Sequence, residues 1–124
     1  MRKKKILSVH SRGAENAVLD LLQKYNVNNV IFHWYSGDIK TMEKIINAGY
    51  YFSINESMTS TKKGKVIIDF IPKDRLLTET DAPFNKKDNI PNVIKYISIT
   101  KGCSEEFVNK QIENNFKQLI SRLK

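Results

Sequence analysis

Three β-prone segments of this chain each run into a side chain able to bind a metal ion. Residues 6–9 lead to His10, residues 30–32 to His33, and the segment from Arg75 to Asp81. Imidazole nitrogen and carboxylate oxygen suit zinc, manganese and other divalent ions, and an ion held by them lowers the pKa of a bound water to give hydroxide near neutral pH. Asp81 could bind metal and take the water's proton, an arrangement suited to hydrolysis of a phosphodiester. The bland reading stands beside it. His10 and His33 are the only histidines of the chain, and a single histidine at a strand end is more often a hydrogen-bonded structural residue than a ligand. In the same way, Glu79 reads as an inward structural carboxylate, Arg12 as a surface cation, Trp34 and Tyr35 as rim packing, and Cys103 as a small buried residue at a helix start.

The elements that must position these groups alternate. After the strand at 6–9, Ala14, Ala17, Val18, Leu21, Leu22 and Tyr25 recur at helical spacing. A second strand at 30–33 is followed by a turn at Gly37 and Asp38, with Asp38 as N-cap. Ile39, Met42, Ile45 and Ile46 line the next helix, which Gly49 ends. Residues 50–55 are aromatic and β-prone; a polar loop then leads to residues 66–71, read as a short helix although their composition also suits a strand. Arg75 to Asp81 is the fourth strand, Ala82 to Pro91 a loop, and Pro91 starts a helix that stops near Gly102. Ser104, followed by Glu105 and Glu106, caps a last helix with the stripe Val108, Ile112, Phe116, Leu119 and Ile120. Strands alternating with helices predict an α/β fold with a parallel sheet and helical crossovers. Because side chains alternate along a strand, Ile6, Ser8 and His10 share one face, as do Ile31 and His33, and Leu77, Glu79 and Asp81. One polar group per strand end, on the inward face, is what a metal site at the mouth of a barrel requires.

A chain of 124 residues, 40% of them hydrophobic, is long enough for a single core. Its net charge of +8 favours an anionic partner such as nucleic acid, although surplus lysine also makes a plain solubilising surface. A lone Cys103 forms no intramolecular disulfide, and no apolar stretch reaches the length of a membrane span, which points to the cytoplasm and away from membranes.

The local wording adds to the spacing. His10-Ser11-Arg12 with Ala14, His33 with Tyr35-Ser36-Gly37, Ile71-Pro72-Lys73-Asp74-Arg75 leading to Leu76-Leu77, Glu79-Thr80-Asp81-Ala82-Pro83 and the late Asn115-Phe116 together resemble the TatD family of metal-dependent deoxyribonucleases. The match in order and spacing covers nearly the entire chain. Within the family, the wording of residues 32–37 and 50–55 is most similar to the TatD-like member of bacterial Qat anti-phage systems. The resemblance implies a TIM-barrel, amidohydrolase-type fold with one or two divalent metals (Mg, Mn or Zn) and hydrolysis of phosphodiester bonds in DNA. It implies that His10 and His33 are the family's two later histidine ligands and that Asp81 is the carboxylate that binds metal and assists the attacking water; Arg12, beside the first of these, is a candidate to meet a substrate phosphate, as arginine is suited to do.

A barrel of this kind takes roughly 250 residues, and the family's opening His-x-Asp pair and mid-chain bridging glutamate have no counterpart here. The expectation is therefore a single partial domain over residues 1–124, the C-terminal half of the barrel with about four βα units, truncated or split so that activity on its own is doubtful. The competing expectation is a non-catalytic remnant or subunit that binds nucleic acid or a complementary half barrel. With open edges and an inward face carrying Ile6, Ile31 and Leu77, the chain is expected to form a homodimer, pair with a complementary N-terminal half, or aggregate.

Overall fold

The structure, a computed structural model, describes residues 6–10, 13–78 and 90–122. Four strands, β1 (Leu7–Val9), β2 (Val30–His33), β3 (Tyr51–Ile54) and β4 (Leu76–Thr78), alternate with three helices, α1 (Glu15–Lys24), α2 (Ile39–Asn47) and α3 (Lys62–Phe70). Two further helices, α4 (Ile90–Lys101) and α5 (Glu105–Ser121), follow the last strand, and 3₁₀ turns at Glu56–Ser60 and Lys73–Arg75 flank α3. The strands form one parallel sheet in the order β1-β2-β3-β4. Every described connection between neighbouring strands is thus a helical crossover, as a parallel pair requires.

Side-chain caps set where the helices begin. The Asp38 carboxylate accepts from the Thr41 N–H at 2.7 Å, the Thr61 hydroxyl from the Gly64 N–H at 2.9 Å, and the Ser104 hydroxyl from the Phe107 N–H at 3.0 Å. Hydrogen bonds from the Thr41 side chain and backbone hold the Asp38 carboxyl below the usual carboxylate range. The Thr61 cap makes α3 a helix and starts it at Lys62, within the stretch expected to be polar loop. Gly49, at φ +86°, turns the chain out of α2, a conformation that favours glycine. At the far end of α3, the Lys101 ammonium donates to the carbonyls of Asp69 and Ile71, and burial lowers its pKa.

One face of the sheet carries the main core. Val30, Phe32, Phe52, Ile54 and Leu76 pack against Leu19 and Leu22 of α1, Met42 and Ile45 of α2, Ile67 and Ile68 of α3, and Val93, Ile94 and Ile97 of α4. The α1 stripe differs from the expected one: Leu19 and Leu22 are buried, whereas Leu21 and Tyr25 are 56% and 64% exposed. Apolar residues on both flanks of α1 obscure which side faces the sheet; Leu19 and Leu22 do, with the partly buried Val18 packed beside them.

The opposite face carries Ile31, Tyr51 and Leu77, and it is not bare. Leu77 is buried, and Ile112 and Leu119 of α5 pack with this group. Helix α5 is buried through Val108, Asn115 and Leu119, while Phe116 and Ile120 of the expected stripe remain exposed. The Asn115 amide donates to the carbonyls of Lys73 and Leu76 at 2.7 and 2.8 Å, and its oxygen accepts from Gln111. At the same end of the sheet, the guanidinium groups of Arg75 and Arg122 lie over the Tyr51 ring while donating to the carbonyls of Ile46 and Gly49. These contacts tie α5 to the ends of β3 and β4, and so fix the direction in which β4 points.

Candidate metal and substrate site

The register of the sheet brings the two histidines together. Val9 lies opposite Phe32 in the β1–β2 ladder, so His10, the next residue, falls beside His33 at the end of β2. Their rings meet edge to face with centroids 4.2 Å apart. His10 is exposed and His33 half-buried. Ser53, the residue opposite His33 on β3, places its hydroxyl 3.2 Å from His33 Nδ1. That contact orients the ring, as an outer hydrogen-bonding partner does for a metal-ligating histidine.

Ser53 was missed in the sequence, where it sits inside an aromatic run. A signal was available: Tyr51 and Ser53 share the inward face by alternation, and a buried serine on a strand must find a partner. Ser8, Ile31, His33, Ser53, Leu77 and Thr78 line one side of a cleft of about 410 Å³ that opens over this face. Asn109, Ile112, Glu113 and Phe116 of α5 form its other wall. Glu113 pairs with Lys117 at 2.9 Å on the solvent side, and the hydrogen bond and charge of Lys117 hold its pKa down.

The loop after His33 is built by Tyr35. Expected at the rim, Tyr35 is instead core: it is 2% exposed, its ring meets Phe52 edge-on at 5.6 Å, and its hydroxyl donates to the Asp38 carbonyl at 2.7 Å. Burial pushes its phenol pKa far up, and the carboxylates of Asp38 and Glu15 add to that. Gly37 gives the ring room, since a Cβ there would lie 2.4 Å from the Tyr35 hydroxyl. Trp34, between His33 and Tyr35, has a left-handed backbone and a half-exposed side chain. Cys103 is a half-buried free thiol at the α4–α5 junction, remote in the chain from the strand ends.

Asp81, Arg12 and Glu79 lie outside the described residues. Among the described residues no three His, Cys, Asp or Glu side chains converge, so the structure brings together two of the three expected ligands. The donor set of these two fits a divalent ion: two imidazoles in contact, one of them oriented by a hydroxyl, at the end of adjacent parallel strands. No helix among the described residues is long and apolar enough to cross a membrane.

The sequence profile of the TatD related DNase family matches residues 2–121. The chain is 29% identical over 126 residues to the human deoxyribonuclease TATDN3, covering 95% of this chain and 46% of that protein. It is 28% identical over 126 residues to the Escherichia coli K12 uncharacterized metal-dependent hydrolase YcfH, covering 90% of this chain and 48% of YcfH. Among solved structures, it superposes on a TatD family hydrolase from Entamoeba histolytica with a TM-score of 0.77 at 18% identity, over 94% of this chain and 50% of that one. The TatD homolog YJJV from Escherichia coli gives a TM-score of 0.77 at 22% identity, over 90% and 48% of the two chains. The chain thus spans about half the length of the relatives it matches, and its fold is that of about four βα units of a TatD-type barrel.

Proposed function

The chain belongs to the TatD related DNase family, and from that premise we propose that it supplies part of a metal-dependent phosphodiesterase site acting on DNA. The observation that carries this reading is the His10–His33 pair, brought to a 4.2 Å contact at the ends of neighbouring strands. In this reading residues 1–124 are one partial barrel domain, and His10, His33 and Asp81 hold a divalent ion, Mg, Mn or Zn, at its mouth. Such an ion supplies a water of lowered pKa and an electrophile for a phosphoryl oxygen. Ser53 holds the His33 ring in its ligating orientation, Asp81 also accepts the proton of the attacking water, and Arg12 meets a phosphate of the strand, as a planar guanidinium is suited to do. The wording of residues 32–37 and 50–55 supports the narrower placement with the TatD-like members of Qat systems.

Three ligands can hold one ion, but the His-x-Asp pair and the bridging glutamate of the family's site have no counterpart in this sequence. These residues alone are therefore expected to bind metal and to turn over DNA slowly or not at all. A complementary half barrel supplying those ligands is the partner this reading calls for, with a homodimer as the second way of closing the sheet. Calorimetric titration with zinc or manganese tests the ligands: affinity should fall in His33→Ala and in Asp81→Asn. Equal affinity in both variants and the parent would remove the site. Cleavage of single-stranded DNA should appear when a separately expressed first half of a related barrel is added. Salt-dependent DNA binding by a chain that takes up no metal and stays inactive with that half added would instead favour a non-catalytic subunit.

A further inference from the structure

Trp34 is the residue the fold leaves unexplained. It is the only tryptophan of the chain, it directly follows the candidate ligand His33, and it is 48% exposed. Its φ of +51° lies in the left-handed region, which a bulky side chain rarely adopts and which costs folding energy. Both neighbours are pinned: His33 contacts the Ser53 hydroxyl, and Tyr35 is buried with its hydroxyl on the Asp38 carbonyl. The Trp34 N–H reaches the Ser53 carbonyl at 3.4 Å, so the backbone is held in this shape from β3 as well. A strained position that leaves a large aromatic surface in water adds nothing to the core. Strain of this kind gathers where a side chain must be presented to a ligand.

We propose that Trp34 is a stacking platform for a nucleobase next to the phosphodiester that the His10–His33 centre would act on. This deepens the function proposed above and rests on it. An indole face stacks on any base without reading its sequence, which suits a nuclease of broad specificity, and a chain of net charge +8 draws the strand in through its phosphates. The residue would then hold the strand in place relative to the ion while taking no part in the bond-breaking step.

The single tryptophan makes the test direct. A short oligothymidylate and an abasic strand of the same length are titrated into the chain at low salt with chelator present. Intrinsic fluorescence is followed beside the anisotropy of a label on the strand. The expected result is that oligothymidylate quenches Trp34 emission and the abasic strand does not, that Trp34→Ala weakens oligothymidylate binding by about tenfold, and that Trp34→Phe retains most of it. Metal affinity measured by calorimetry should be unchanged in Trp34→Ala. Binding of oligothymidylate without quenching, or with equal affinity in Trp34→Ala, would overturn the platform and leave the proposed function standing. Absence of any strand binding would overturn the platform, while the metal titration and the cleavage test with the added half decide the proposed function separately. Should Trp34→Ala fold poorly, the comparison of the two strands on the unmodified chain decides the matter alone.

Discussion

Replacing Asn115 is expected to be among the costliest single changes in this chain, because one buried amide closes three hydrogen bonds at the base of β4. Its Nδ2 group donates to Lys73 and Leu76 carbonyls at 2.7 and 2.8 Å, its oxygen accepts from Gln111 at 2.9 Å, and the residue is 3% exposed. Asn115→Ala removes the donor and strands the Leu76 carbonyl in a buried position, while the Lys73 carbonyl and the Gln111 amide keep some access to water. A buried polar group left without a partner costs about 1–3 kcal/mol and a lost hydrogen bond about 1 kcal/mol, so the total comes to about 2–4 kcal/mol. With a urea slope of about 2 kcal/mol per molar for a protein of this size, the unfolding midpoint should fall by about 1–2 M. Asn115→Asp should be at least as damaging, since an ionised carboxylate cannot donate and would face two carbonyl oxygens. Urea titrations of the three proteins, followed by circular dichroism, make the comparison. A loss under about 0.5 kcal/mol in Asn115→Ala, or an Asn115→Asp variant as stable as the parent, would refute the view that this amide anchors α5 to β4.

Two further outcomes follow from the packing. Gly64 sits inside α3, where alanine would ordinarily add about 1 kcal/mol of stability; here a Cβ would lie 1.9 Å from the Met58 carbonyl oxygen, so Gly64→Ala should lower the melting temperature, and a rise would show that the 3₁₀ turn yields freely. Burial raises the Tyr35 phenol in the folded chain, whereas the unfolded chain ionises it near pH 10. Its contribution is therefore complete below about pH 10 and is lost as pH rises above that, because the unfolded state then holds fewer protons than the folded one. Urea unfolding on both sides of pH 10 should show stability falling with pH, less steeply in Tyr35→Phe, with Tyr50, which burial also raises, keeping part of the slope; an unchanged slope in Tyr35→Phe would exclude Tyr35 as its source.

What the sequence revealed and what it hid divide along a physical line. Strand β2 and the cap at Asp38 were legible because each rests on information within a few residues: alternation along one strand, or a carboxylate three positions before the N–H it accepts from. The α1 face, the burial of Tyr35 and the role of Ser53 were not, because each depends on what lies across the sheet. His33 shows both sides in one residue. Its place at a strand end follows from the local pattern, and so does the suspicion that it binds metal. Its contact with His10 needs the β1–β2 register, and its ring orientation needs the β2–β3 register that sets Ser53 opposite it. Register in a parallel sheet is set by crossover helices packing on the far face, through residues such as Leu19, Met42 and Ile67 that carry no chemistry. A shift of one residue in β3 would turn Ser53 to the opposite face and leave His33 Nδ1 without that hydroxyl. The His33–Ser53 geometry at the strand ends therefore depends on the apolar packing behind the sheet, so if the proposed site holds a metal, substitutions in that core should change metal affinity as well as stability.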